Sequence, residues 1–251
     1  MVQAREPGEY IDSMFRELLH GLPQRIPSRC AVCHAWPARP VCDACVERFA
    51  QPVARCSTCA LPLATGTLQC GACVRDPPPL DACVTAVAYG YPWSRLVQEF
   101  KFHARPGWAQ GFAMLMRSAP WVEPALEAAD IVVPMPLSRE RLRARGFNQA
   151  LELARHLAPR KTDATLLLRI RHTAAQTDLH RAERILNVRH AFAIEPLRAG
   201  IAAGRRVVLV DDVMTSGASL HAAARVLREA GAAHLTGLVL ARADLPAGNG
   251  P

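Results

Sequence analysis

From about residue 83 onward, short runs of consecutive apolar residues alternate with stretches whose apolar positions recur every three or four residues. The runs Val84–Tyr89, Ile131–Val133, Leu166–Leu168, Val207–Val210 and Leu235–Leu240 read as strands. The run VVLV at 207–210 is apolar at successive positions, as strands covered on both faces are. Helical spacing predicts helices over Trp93–Phe102, Trp108–Arg117, Asn148–Leu157 and Ser219–Ala230, the last closed by Gly231. Strands and helices in alternation predict an α/β domain on a parallel sheet. Near the start, Met14, Phe15, Leu18 and Leu19 recur at helical spacing, which predicts a short amphipathic segment packed on the next unit of the chain.

Between these regions the pattern changes. Large apolar side chains are few (Trp36, Val41, Phe49, Leu61, Leu63), and cysteines are dense. Cys30-x2-Cys33-x8-Cys42-x2-Cys45 is followed, after ten residues, by Cys56-x2-Cys59-x10-Cys70-x2-Cys73. A C-x2-C turn sets two thiolates on one side of a tight loop at the separation tetrahedral zinc requires, and two such turns complete a Cys₄ shell. Two structural zinc ions are therefore expected, with disulfides and iron–sulfur ligation as the alternatives. The short intervening loops favour sequential sharing, pairs one and two on one ion and three and four on the other, while a crossed arrangement stays open. A closed Cys₄ shell leaves no position for water, so the metal contributes folding energy that so small a core lacks. His34 is expected at the surface, and Cys83 as a small buried hydrophobe.

The stretch RDPPPLDA, residues 75–82, cannot continue a helix or a central strand and reads as a stiff connector. The expected organisation is thus an N-terminal helical segment (1–24), a cysteine-rich double zinc-binding module (25–78), an α/β domain (79–243) and a disordered tail (244–251).

Composition narrows the function classes. Half of the 251 residues are apolar and 21% are charged, so a folded chain is expected. No run approaches the roughly 18 apolar residues of a membrane span, and MVQAREPGEYIDSMF carries acids where a signal peptide is apolar. A cytoplasmic protein with reduced thiols is the expectation. The net charge is +8, and 28 of the 30 basic residues are Arg, which favours fork-like recognition of phosphate. A GC-rich genome would give the same bias. Residues 101–190 carry 15 basic against 8 acidic residues, so nearly all the excess charge lies there.

The chemistry concentrates in VVLVDDVMTSGAS, residues 207–219: a buried strand, two adjacent aspartates, a loop of small residues, then an amphipathic helix. Backbone N–H groups of such a loop point into one concavity, and the helix adds its positive end, so an anion site is expected there. Asp211 and Asp212 stand at the strand's C-terminal end, where open α/β sheets bind ligands, and suit ribose hydroxyls or Mg²⁺. This stretch resembles the phosphoribosyl pyrophosphate (PRPP) motif of type I phosphoribosyltransferases. The resemblance implies that Asp211 and Asp212 contact the ribose hydroxyls and that Thr215, Ser216, Gly217, Ala218 and Ser219 wrap the 5′-phosphate. Met214 is read as a variable loop position.

Upstream, Asp130–Ala150 runs from a strand through a prolyl turn into Arg139, Arg141, Arg143 and Arg145. On a helix only one or two of these would reach a given ligand. Arg145, Asn148 and Gln149 are the more pointed candidates, with Asn148 also placed to cap a helix. Lys101 is either a surface cation at a helix end or a pyrophosphate contact. Gln176, Arg184 and Asn187 lie on a polar stretch able to close over a charged site. In order, the cysteine pairs, FKFHARP, VPMPLSRERLRARGFNQA, Gln176…Arg184-x2-Asn187 and VVLVDDVMTSGAS resemble the ComF family. That resemblance implies a type I phosphoribosyltransferase-like fold behind a double zinc ribbon, with a role in handling single-stranded DNA during natural competence. Three functions are expected from these features: a transferase using PRPP and Mg²⁺ on an unknown acceptor, a PRPP- or single-stranded-DNA-binding protein without transferase activity, and a PRPP-controlled dock for other competence proteins.

Overall fold

The computed structural model describes residues 28–102, 105–170 and 190–244. The helical segment expected at 1–24, Gln176, Arg184, Asn187 and the tail after Asp244 lie outside them. The chain forms two compact units that part between Cys45 and Val46. In chain order the helices are α1 (Asp43–Phe49), α2 (Gly71–Arg75), α3 (Trp93–Phe102), α4 (Trp108–Ser118), α5 (Val122–Ala128), α6 (Arg139–Arg145), α7 (Gln149–Leu157) and α8 (Ala218–Glu229). The strands are β1 (Ala82–Ala88), β2 (Ile131–Pro134), β3 (Leu167–Arg169), β4 (Phe192–Ile194), β5 (Arg206–Met214) and β6 (His234–Arg242), with a 3₁₀ turn at Pro196–Ala202.

Four strands form a parallel sheet in the order β1-β6-β5-β2. Parallel strands need helical crossovers, which cover both faces of the sheet. That is why the middles of β5 and β6 are apolar: Val207, Val208, Leu209 and Val210 are all buried, as are Leu238, Val239, Leu240 and Ala241. Alternate side chains serve different layers. Val207 and Leu209 join a core with Leu220, Ala223 and Leu227 of α8. On the helices α3 and α4, Leu96, Phe100, Phe112 and Met116 are fully buried, with the Phe100 and Phe112 rings 5.5 Å apart in an edge-on contact.

The strand expected at 166–168 exists but does not join the parallel sheet. β3 pairs antiparallel with β4 in a separate ribbon. The reason is local: Val132 of β2 donates its N–H to Lys161 O, and Asp163 N–H donates to Val132 O, so the free edge of β2 is already covered. The Asp163 carboxylate then accepts from the N–H groups of Thr165 and Leu166 and from Arg198, turning the chain away.

The second cysteine set belongs to the same unit as the sheet. Cys56, Cys59 and Cys73 are buried in the same core as Leu209, Leu220 and Leu227. The Pro77–Pro79 stretch therefore runs inside the second unit, joining α2 to β1. Met214, read from sequence as a loop position, is the buried last residue of β5. Among the described residues no helix is long and apolar enough to cross a membrane.

Leu227 has no exposed surface and fills the layer between α8 and the sheet. Its truncation in Leu227→Ala leaves a cavity that its rigid neighbours cannot close, and we expect a loss of about 3 kcal/mol in urea unfolding.

Candidate functional site

The two aspartates stand on β5 just before its end. Asp212 is buried and Asp211 is partly so. Adjacent carboxylates in a low-dielectric setting cannot both ionise freely. Burial and the Asp212 charge push the Asp211 carboxyl up to about 7, against the opposing pull of Lys101 and Arg145. Lys101 Nζ lies 2.9 Å from Asp212 Oδ1, with both side chains largely covered. Lys101 is thus not a surface cap of α3: the last turn of that helix delivers it to the acids. Asp211 is held by the N–H of Asp212, 2.9 Å from its Oδ1.

After Met214 the chain turns through Thr215, Ser216 and Gly217 into α8. Ser216 Oγ accepts from Ala218 N–H at 3.4 Å. Gly217 has φ +81°, and a Cβ there would lie 2.5 Å from Met214 Cε and 2.9 Å from His221 Cε1. Both the conformation and the space require glycine. The turn places the N-terminus of α8, a 12-residue helix, beside the acids. A partial positive charge is thereby set against a cavity that small side chains leave open.

Acids, loop and helix end line one cavity of about 220 Å³ together with Lys101, Arg141, Arg145 and Arg169. On α6, Ser138 caps the first turn by accepting from Arg141 N–H. Of the four arginines expected in this run, Arg141 and Arg145 face the cavity while Arg139 and Arg143 are exposed. Arg145 Nη1 donates to Gln149 Oε1 at 2.9 Å, and its guanidinium covers the Phe102 ring at 5.3 Å. Asn148 caps α7 through its Oδ1, which accepts from Ala150 and Leu151, while its Nδ2 donates to Met135 O at 3.1 Å. Its amide is therefore committed to holding α7 on the end of β2. Gln149, almost fully buried, serves Arg145 in the same way.

The cysteines form two clusters, Cys30/Cys33/Cys42/Cys45 and Cys56/Cys59/Cys70/Cys73, in each of which the four sulfurs lie within 4.8 Å of one another. This is sequential sharing. Each set offers the closed tetrahedral shell that could hold a zinc ion. In the second set, the backbone N–H of Cys70 donates to Cys56 Sγ at 3.3 Å, as N–H groups do toward thiolates in metal knuckles. His34 is exposed beside the first set, and Cys83 is buried, as expected.

Residues 143–246 match the phosphoribosyl transferase domain. The DNA utilization protein YhgH of Salmonella typhimurium is 34% identical over 200 residues, which cover 77% of this chain and 86% of the relative. The chain belongs to the ComF family. Competence protein F of Haemophilus influenzae is 31% identical over 212 residues, covering 81% of this chain and 90% of the relative. Competence protein ComFC of Bacillus subtilis is 39% identical over 103 residues, 41% of this chain and 40% of the relative. As a ComF-family protein the chain carries a phosphoribosyltransferase-type parallel-sheet domain with two Cys₄ sets of the kind zinc ribbons use.

Most of the sequence-picked residues converge on the ComF cavity: Lys101, Arg145, Asn148, Gln149, Asp211, Asp212 and 215–219 all line it. Arg141 and Arg169 line it too. Nothing in the sequence singles out Arg141 within its run. Arg169 escapes sequence reasoning because it ends a short apolar run, LLLR, whose only signal is the lone charge.

The raised Asp211 carboxyl has a consequence for stability. A carboxyl that binds its proton more tightly when folded lowers stability as pH rises from about 4 to about 7, with no further change above. In the ligand-free protein, Asp211→Asn should flatten that slope. At pH 8 it should be about 1–2 kcal/mol more stable than the parent in urea.

Proposed function

We propose that this ComF-family protein binds PRPP with Mg²⁺ in the 220 Å³ cavity. The observation that carries the reading is the convergence on one concavity of an acid pair at a strand end, a small-residue loop at a helix N-terminus, and four cationic side chains. Loop residues Thr215 to Ser219 fit the 5′-phosphate, since their backbone N–H groups and the helix end supply donors without side-chain bulk. Asp211 and Asp212 fit the ribose 2′- and 3′-hydroxyls. Lys101, Arg145, Arg141 and Arg169 fit the pyrophosphate. Mg²⁺, when bound, supplies further neutralisation of that leaving group. Fixed cations around a departing pyrophosphate stabilise the charge that develops as the C1–O bond breaks, so catalysis here would be mainly electrostatic. The acceptor would then attack C1.

The relatives' names support a setting in DNA utilization and competence, and we assign this chain to the handling of incoming single-stranded DNA in the cytoplasm. Phe102 is the observation in favour of a strand as ligand: its ring is exposed, follows Lys101 in sequence and carries the Arg145 guanidinium over one face. An exposed aromatic beside guanidiniums is how base stacking and phosphate contacts combine on single strands. Each Cys₄ set holds one structural zinc in this reading.

Calorimetric titration with PRPP and Mg²⁺ should show one site, and Asp211→Asn/Asp212→Asn should weaken it by at least about a hundredfold. Unchanged affinity in that variant would refute the site. Metal analysis of the purified protein should return two zinc per chain. Binding of a short single-stranded oligonucleotide should weaken steeply with salt and, in Phe102→Ala, fall by about tenfold.

A further inference from the structure

We propose that Arg242 is a positioning residue that fastens the phosphate loop to the Cys56–Cys59 turn, so that the loop keeps its anion-binding shape only while the second cysteine set is intact. Arg242 ends β6, a strand otherwise apolar over most of its length, and is 2% exposed. Among the described residues no carboxylate pairs with it. A buried guanidinium without a counter-ion is costly unless its donors are satisfied. Here main-chain carbonyls take up Nε and Nη1, the latter shared among three of them. Nε donates to Cys59 O at 2.9 Å, while Nη1 donates to Met214 O at 3.1 Å, to Ala243 O at 2.5 Å and to Thr215 O.

The geometry explains what this does for the loop. In a planar trans peptide the C=O and N–H point to opposite sides. The Met214 carbonyl, which also accepts from Ala243 N–H, and the Thr215 carbonyl both lie on the guanidinium, so the N–H groups of Thr215 and Ser216 point away from it. The same cation lies close enough to help depress the His221 imidazole, which burial brings down to about 4, so the floor of the loop is positive without a titrating group. The other end of the tie is a metal-type turn. Cys59 and the following Ala60 both present carbonyls to guanidiniums, Ala60 O accepting from Arg55 Nη1 at 2.9 Å. Two further contacts run in parallel: Cys83 N–H donates to Ser57 O at 2.7 Å, and Cys83 Sγ lies 3.7 Å from Met214 Sδ. Only a fork reaches both ends. A lysine ammonium is a compact point charge and would keep one end at most.

The consequence for affinity rests on the PRPP reading above, whereas the tie does not. Hydrogen–deuterium exchange on the full zinc-loaded chain tests it, comparing the parent with Arg242→Met, Arg242→Lys and Cys70→Ser. Amides of 214–221 should exchange about tenfold faster in all three, with β2 unchanged, and PRPP should bind about tenfold more weakly. Arg242→Lys keeps the charge, and its failure to restore the loop separates the fork from the cation. Unchanged exchange at 214–221 in the arginine variants overturns the proposal. So does acceleration spread evenly over the sheet, or a loop indifferent to Cys70→Ser. If Arg242→Met does not fold, Arg242→Lys carries the decision. If the parent binds no PRPP, the proposed ligand falls and the exchange pattern still decides the tie.

Discussion

Two carboxylates on successive residues of one buried strand repel each other, and the surroundings of Asp211 and Asp212 are arranged to contain that repulsion. Lys101 arrives from the end of α3, Arg145 from the end of α6, and the α8 N-terminus from the far side of the loop. Neither cation is near the aspartates in sequence. The sheet order brings them together, because a helix that crosses over a parallel sheet begins and ends at its strand ends. The charge imbalance of the cavity, three guanidiniums and an ammonium against two acids, is what makes it receptive to a polyanion.

The two cysteine sets illustrate how a repeated pattern acquires unequal roles. The spacings are nearly the same, and both sets bring four sulfurs together. In the first set Cys33 is exposed, whereas in the second Cys56, Cys59 and Cys73 are packed into the core of the sheet. A metal in the second position would act as part of that core, joining the cysteine turns to its apolar side chains.

Much of this is legible in the sequence because it depends on local physics. Strands covered on both faces carry runs of consecutive apolar residues, which gives away β5 and β6. Asn148 has the right side chain ahead of an amphipathic run, and it caps α7 as its type suggests. A glycine inside a small-residue turn points to Gly217. The remainder depends on what meets in space. Lys101 is indistinguishable in sequence from a solvated helix-end cation, and only the approach of α3 to β5 gives it Asp212. Leu167–Arg169 has the composition of a sheet strand, yet the edge it would need is occupied by Lys161–Asp163. Arg242 stands in plain sight as one charge closing the run LTGLVLAR. Most of its acceptors are carbonyls distant in sequence, and a carbonyl leaves no trace in residue type.

The strand order also dictates a history for the chain as it leaves the ribosome. β1 pairs with β6, and β2 pairs with β5, so each early strand waits for a partner made near the end of synthesis. Until residue 242 has emerged, β1 presents a bare, largely apolar edge that any other nascent strand can template onto. The cysteine sets are complete by residue 73, before any of the sheet exists. Metal capture can therefore order the front of the chain while the sheet is still being written.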